Sequence, residues 1–204
     1  MSFEIWLAFA VASAVLVAIP GPTVVLVVSL ALGQGRRSAF ATVPGVALGD
    51  LVAMVVSLAG AGAILAASAT AFTVLKLAGA AYLVWLGIGL WRARPKAIEA
   101  RPATGRRLFR DSFTVTVLNP KGIVFFIAFV PQFIDAARPV LPQMAILVAT
   151  FVTLGALNAA IWAVAAGTMR DRLAGLRAQA IIARVGGSFL ILAGAVTALT
   201  RRAA

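Results

Sequence analysis

Two ionisable side chains of this sequence lie deep inside strongly apolar segments, where a charge is costly. Asp50 belongs to an apolar segment that starts near residue 38, and Lys121 belongs to one that starts near residue 112. At 1.5 Å per helical residue, Asp50 is roughly 18 Å and Lys121 roughly 15 Å from the start of its segment. A lysine at the centre of a membrane helix costs on the order of 3 kcal/mol on insertion scales. Both residues are therefore candidates for binding charged groups.

These residues also have structural interpretations, which the sequence leaves open. Lys121 would extend to the membrane surface if its segment started later, and Asp50 and Lys121 would form a static salt bridge if they met. In the functional interpretation, Asp50 binds an ammonium group or exchanges a proton, and Lys121 binds a carboxylate. Asn119 would cap a helix or contact a substrate, and Asn158 would hydrogen-bond a substrate or another helix.

Helix-breaking residues interrupt two of the apolar segments in a similar way. Proline lacks an N–H and its ring clashes with the carbonyl four residues back, while glycine permits unusual dihedral angles. The breaking residues are Pro20, Gly21, Pro22, Pro120 and Gly122. We expect an unwound turn in each segment, with a new helix starting near Pro22 or Thr23 in the first. A simple proline kink is the alternative.

The composition is that of an integral membrane protein. Of 204 residues, 62% are hydrophobic and 12% charged, and the mean hydropathy is +1.04, whereas soluble domains are nearer half apolar and a quarter charged. The chain has neither cysteine nor histidine, which removes soft-metal ligands and the usual acid–base and nucleophilic groups. We therefore predict no enzyme activity, no catalytic residues, no metal and no cofactor. The net charge of +12 falls in short clusters between apolar runs, which favours membrane orientation over nucleic-acid binding.

Six segments are long and apolar enough to cross a membrane as helices, which takes roughly 20 residues each. They cover residues of about 5–32, 38–66, 70–91, 112–134, 141–167 and 180–200. Lysine and arginine concentrate in the 1–2, 3–4 and 5–6 loops, so the positive-inside bias places those loops in the cytoplasm and both termini outside. Arg201 and Arg202 argue against this arrangement, and five spans with a cytoplasmic N-terminus are the alternative.

The two halves of the chain align as internal repeats. Residues 17–28 match residues 117–128, with Pro20 on Pro120. A three-span repeat must insert its second copy upside down. We therefore predict an all-α membrane protein of six transmembrane helices in two inverted three-helix repeats, with broken first and fourth helices. The predicted units are residues 1–91, a basic cytoplasmic linker at 92–111, and residues 112–204.

Glycines in these repeats indicate close helix packing. The segments at 77–90 and 184–197 also align, and Gly79 falls on Gly186. Gly45 and Gly49 belong to a stripe of small residues at intervals of four along the Asp50 segment, and such a stripe lets another helix backbone approach. It would also accommodate a homodimer.

Three motifs follow one another along the chain: PGP at 20–22, GVALGD at 45–50 and NPKG at 119–122. With these motifs, its length and its six predicted spans, the chain resembles the LysE/RhtB family of bacterial amino-acid exporters. The resemblance covers essentially the whole chain. It implies efflux of amino acids or related small metabolites across the bacterial inner membrane, driven by the proton-motive force.

Broken helices at equivalent positions of inverted repeats are typical of secondary transporters, which hold a substrate near the midplane and expose it alternately to each side. The expected partners are therefore an amino-acid substrate, protons and membrane lipids. An ion or cation transporter or a channel of the same superfamily is the alternative. The sequence does not select a substrate.

Overall fold

A computed structural model of the chain describes residues 1–92 and 104–168, together with isolated positions between 184 and 199. The elements of this described part are helices, with short 3₁₀ turns at Arg36–Ser38 and Val130–Phe133. The helices are α1 (Phe3–Ala18), α2 (Pro22–Gln34), α3 (Ala39–Ala67), α4 (Ala69–Arg92), α5 (Gly105–Val117), α6 (Pro120–Ala128) and α7 (Val140–Thr168).

Two kinds of membrane-length element occur in this arrangement. Arg36–Gly60 and Val140–Thr168 are single helices long and apolar enough to cross a membrane. The other two elements are bent pairs, Phe3–Ala18 with Pro22–Leu32 at 52°, and Gly105–Val117 with Pro120–Phe133 at 43°. The described residues thus contain two to four candidate spans, as expected of an all-α membrane protein. The predicted third segment forms α4, and the predicted span at 180–200 lies outside the described residues apart from isolated positions.

The fourth segment begins earlier than predicted. Its helix starts at Gly105, seven residues before the predicted boundary at 112, so the C-terminal part of the linker predicted for 92–111 is helical. The side chain of Thr104 accepts from the amide of Arg107 at 3.4 Å and caps this start. Hydrophobicity alone does not reveal the helix because its first turns are amphipathic, with Leu108 buried and Arg106 exposed.

The long helices each pack against a broken pair. α3 contacts α5 and α6, while α7 contacts α1 and α2. A Cβ atom added to Gly45 would lie 2.6 Å from the carbonyl oxygen of Phe109, and one added to Gly49 would lie 2.7 Å from Cβ of Thr116. These glycines therefore set the close approach of α3 to α5.

Two apolar clusters fill the interior. One surrounds Phe125, Phe126 and Phe151 and includes Leu16 of α1. The other consists mainly of small and branched residues of α2, α3 and α7: Val24, Val27, Val28, Ala31, Leu32, Val46, Ala159, Ala163 and Ala166. The candidate site lies where these two clusters meet, since its wall includes residues of both.

Candidate functional site

The break between α1 and α2 frees backbone carbonyl groups inside the protein. In a continuous helix, the carbonyl of Leu16 would accept from the amide of residue 20 and that of Val17 from the amide of residue 21. Pro20 has no N–H, and the helix ends at Ala18. The new helix α2 starts at Pro22 with Gly21 as its N-cap, so the predicted unwound turn is confirmed and the break is not a simple kink.

Lys121 of α6 supplies hydrogen bonds to this broken end. Its Nζ donates to the carbonyl oxygens of Leu16 at 2.9 Å and Ile19 at 2.8 Å. The residue is only 8% exposed, so the alternative in which its ammonium group extends to the surface is wrong. Gly21 leaves the room for it, because a Cβ atom there would lie 3.3 Å from Nζ of Lys121.

Asn158 of α7 contributes a third hydrogen bond to the same helix end. Its Nδ2 donates to the carbonyl oxygen of Val17 at 2.8 Å. The sequence left open whether Asn158 would bond a substrate or another helix, and in this structure it bonds another helix. The C-terminal end of α1, the negative end of its dipole, is thus covered by an ammonium group and an amide.

Asn119 joins the second break to the first. Its side-chain oxygen accepts from the amide of Lys121 at 3.1 Å, which makes it the N-cap of α6, one of the two roles that the sequence left open. Its Nδ2 donates to Oγ1 of Thr23 at 3.1 Å, and that oxygen lies 3.3 Å from Oγ1 of Thr116. A polar network therefore connects the start of α2 with both sides of the α5–α6 break.

Asp50 differs from Asn119, Lys121 and Asn158 because its carboxylate has no hydrogen-bond or ion-pair partner among the described residues. Within the described part of the chain, the ion pairs join Arg107 and Arg110 to Asp111, and Arg138 to Asp135. A static Asp50–Lys121 salt bridge is therefore not formed, and no described residue donates a hydrogen bond to Asp50. The carboxylate packs on the backbone of Gly155, where an added Cβ atom would collide with Oδ2.

Asp50, Asn119, Lys121 and Asn158 line one cavity of about 40 Å³. This volume has room for a few water molecules. The rest of the wall is formed by backbone or apolar side chains and one hydroxyl: Leu16, Val17, Gly21, Thr23, Val24, Val27, Val46, Gly122, Phe151, Gly155 and Ala159. The structure thus brings together residues from three distant parts of the sequence, in one cavity with one acidic and one basic group.

Three polar or packing residues at the site were not predicted as site residues: Thr23, Thr116 and Gly155. Thr23 directly follows Pro22, so the sequence places it in the first turn of the restarted helix. This position could have indicated Thr23 as a site residue. Gly155 precedes Asn158 by three residues and shares its helix face, but a glycine in an apolar helix does not by itself indicate a neighbouring carboxylate.

The three remaining predicted glycines differ in position: Gly79 lies away from the cavity, Gly122 lines it, and Gly186 is not among the described residues. Gly79 of α4 faces α6, where an added Cβ atom would lie 2.8 Å from Cβ of Ala128. Gly122 lines the cavity, and the space beside it is bounded by the ring of Phe126, 3.5 Å from an added Cβ atom. Gly186 lies outside the described residues.

Comparison with known proteins gives consistent matches over the chain. Residues 14–201 match the family described as LysE type translocator. The chain is similar to the homoserine/homoserine lactone efflux protein of Salmonella typhi, with 34% identity over 100% of both chains. It is also similar to an uncharacterized membrane protein of Vibrio cholerae, with 38% identity over 77% of this chain and 78% of the other. The leucine efflux protein of Klebsiella pneumoniae is 29% identical over 64% of this chain and 63% of its own length. No solved structure matches the chain.

Proposed function

The chain belongs to the LysE type translocator family, and we propose that it exports amino acids or closely related small metabolites across the bacterial inner membrane. A family of translocators makes the chain a transporter and not an enzyme. The names of its relatives, homoserine/homoserine lactone efflux protein and leucine efflux protein, support an amino-acid substrate. Protons and membrane lipids are the other proposed partners, with the proton-motive force as the energy source.

The observation that carries this proposal is the pairing of Asp50 with Lys121 in one cavity without a direct ion pair. An amino acid is a zwitterion and needs one partner for each charge. The unpartnered carboxylate of Asp50 suits the substrate ammonium, or the proton that is exchanged for it. Because a lysine ammonium has three N–H donors and two are used for Leu16 and Ile19, one remains for a substrate carboxylate.

The helix starts at Pro22 and Pro120 add to the carboxylate side of this site. The N-terminus of a helix carries a partial positive charge and free N–H groups, which favour anions. Both breaks contribute residues to the cavity wall, Gly21 and Thr23 from the first and Asn119 and Gly122 from the second. A bound substrate carboxylate would therefore meet Lys121 and two helix starts in a region with little water.

Alternating access would proceed by movement of the two halves against each other. The packing supports this, since α3 contacts the α5–α6 pair while α7 contacts the α1–α2 pair, the reciprocal arrangement expected of inverted repeats. The small volume of the cavity fits a closed stage of such a cycle, because an amino acid needs more room than a few water molecules.

Reconstitution into liposomes tests the proposal directly. Vesicles loaded with one labelled amino acid at a time should release it faster when a pH gradient is imposed, and release should saturate with substrate concentration. Asp50→Asn should abolish the acceleration, whereas Asp135→Asn, which alters an exposed acid paired with Arg138, should retain it. Release of no amino acid would contradict the function, and electrical current without saturable release would favour the ion-channel alternative.

A further inference from the structure

Six phenylalanine rings form a continuous series that begins at the cavity wall: those of Phe9, Phe125, Phe126, Phe129, Phe133 and Phe151. Phe151 lines the cavity, and the centroid of its ring lies 4.8 Å from that of Phe126, with the two rings at 85°. Phe126 also bounds the space beside Gly122, another residue of the cavity wall. The phenylalanine series therefore starts with two nearly perpendicular rings that meet at the cavity.

The other end of the series reaches the protein surface. Phe125 stacks on Phe129 with their ring centroids 4.9 Å apart, and the ring of Phe129 lies 5.1 Å from that of Phe133. Phe125 and Phe126 are fully buried and Phe129 is 9% exposed, while Phe133 is partly exposed and is followed by exposed residues at 136–138. Exposure thus increases along the series, and the rings lie between the cavity and this surface.

The basic turn Arg36–Ser38 lies at the opposite end of the cavity. From Phe151, α7 passes the cavity and continues to Gly167, where an added Cβ atom would lie 2.7 Å from the backbone of this turn. α3 starts directly after the turn, and on it Asp50 precedes Met54, which belongs to the apolar cluster around the phenylalanines. Since the positive-inside bias assigns the basic turn to the cytoplasm, we assign the phenylalanine series to the outer side.

Two of the elements that carry these rings end or begin at a helix break. Phe9 belongs to α1, which ends at Ala18, and Phe126 belongs to α6, which begins at Pro120. The breaks lie at the level of the cavity, because residues of both line it. Unwound residues between two helices can absorb the change in dihedral angles at a hinge. α1 and α6 can therefore tilt at this level while α2 and α5, on the side of the basic turn, stay in place.

The two ends of the cavity also differ in the side chains that close them. A phenylalanine side chain moves its ring through a large volume when it changes between staggered χ1 rotamers. At the end near the basic turn, the cavity wall consists mainly of small and branched side chains: Val24, Val27, Val46 and Ala159. Valine has one strongly preferred rotamer in a helix and alanine has no χ1 angle, so this end opens only if whole helices separate. Rotation of the rings therefore provides a way to open the outer end alone.

We propose that Phe126 and Phe151 form the outer gate of the translocation path, and that tilting of α1 and α6 at the two breaks opens this gate to release the substrate. The edge-to-face arrangement of the two rings is a favourable one for aromatic pairs. Transfer of a charged amino acid through such an apolar contact is costly, so the paired rings hold the cavity closed on the outer side. This inference rests on the proposed function and assigns the side chains that the substrate must pass on its way out.

Because the chain contains no cysteine, thiol labelling tests the gate directly. Ala159→Cys places a single thiol in the cavity wall, and its reaction with a small membrane-impermeant thiol reagent is measured separately in right-side-out and inside-out vesicles. We expect Phe126→Ala in this background to raise the rate of labelling from the outside severalfold and to leave the rate from the inside unchanged. Phe109→Ala is the matched control, because it removes a ring that stacks on Phe113 in α5, on the side of the basic turn.

Phe126→Leu decides the question where the alanine variant does not fold, because it removes the ring but keeps a large apolar side chain. It should raise the rate of labelling from the outside in the same way. Labelling from the outside that is no faster than in Phe109→Ala would overturn the gate. Equally faster labelling from both sides would also overturn it, since the variant would then loosen the whole protein, and so would faster labelling from the inside alone.

The labelling result and the proposed function can fail separately. Labelling requires no substrate, so each result that overturns the gate leaves the exporter intact. A wild-type protein that releases no amino acid from liposomes overturns the proposed function, and the inference with it.

Discussion

The ammonium group of Lys121 donates to the carbonyl oxygen of Leu16 at 2.9 Å, across the contact between the two broken helices. That oxygen is the acceptor that Pro20 leaves free, because proline has no N–H. The lysine of the second break therefore completes the hydrogen bonding of the first. Hydrogen bonds from a charged donor are roughly twice as strong as neutral ones. Hydrogen bonds therefore hold the two halves of the chain together in addition to apolar contacts.

Replacement of Lys121 by methionine should destabilise the protein as well as impair transport. The carbonyls of Leu16 and Ile19 would lose their donor, and a buried unpaired polar group costs about 1–3 kcal/mol. Removal of a buried charge offsets part of this cost, so we expect a net loss on the order of 2 kcal/mol. Thermal unfolding in detergent measures it against Arg110→Met, which removes an exposed cation. An unchanged melting temperature would show that the carbonyls have other partners.

Gly155→Ala should impair transport without unfolding the protein. The added methyl group would occupy the place of the Asp50 carboxylate, which can rotate away because it ends a short side chain. Alanine has a higher helix propensity than glycine by about 1 kcal/mol, so the free energy of unfolding should change little. The KM for efflux should rise severalfold because the Asp50 carboxylate is displaced.

Gly60→Ala is the matched control for this variant. Gly60 also lies in a long apolar helix, α3, but an added Cβ atom meets nothing within 4 Å. Its efflux kinetics should equal those of wild type. If Gly155→Ala and Gly60→Ala transport equally well, the position of the Asp50 carboxylate does not matter for substrate binding.

The features that local sequence determines were predictable. Prolines and glycine between apolar runs predicted the break at 20–22, and an asparagine before Pro120 indicated a cap as one of two possible roles. Both features depend on residues that are neighbours in the chain. The motifs PGP, GVALGD and NPKG also indicated the LysE/RhtB family, which the comparisons confirm. The depth of Asp50 and Lys121 followed from counting along helices.

The partners of these residues were not predictable in the same way. Lys121 and Leu16 are 105 positions apart, and only the packing of α6 against the end of α1 brings them together. The sequence suggested Asp50 as the partner of Lys121 because the two charges are opposite, yet the freed carbonyls compete for the same ammonium group. The start of α5 was missed because its arginines lie on the exposed face of an amphipathic helix.

Asn119→Ala should reveal the link between the two breaks. It removes the cap of α6, worth about 1 kcal/mol, and the hydrogen bond to Thr23, worth about 1 kcal/mol. Asn119→Ser retains a capping oxygen and should recover the first contribution. A double-mutant cycle of Asn119→Ala with Thr23→Val measures the coupling by thermal unfolding. Strictly additive effects would mean that the Asn119–Thr23 contact contributes nothing to stability.

Gly45→Ala should destabilise the contact between α3 and α5. The new Cβ atom would lie 2.6 Å from the carbonyl oxygen of Phe109, and a backbone atom can yield only if the whole helix moves. Overpacking of this kind costs about 1–3 kcal/mol, which exceeds the gain of about 1 kcal/mol in helix propensity. Gly89→Ala provides the comparison because its Cβ atom meets nothing within 4 Å, so only the propensity gain should remain. The melting temperature in detergent should therefore fall for Gly45→Ala and stay the same or rise for Gly89→Ala. A Gly45→Ala protein as stable as wild type would mean that α5 is free to shift away from α3.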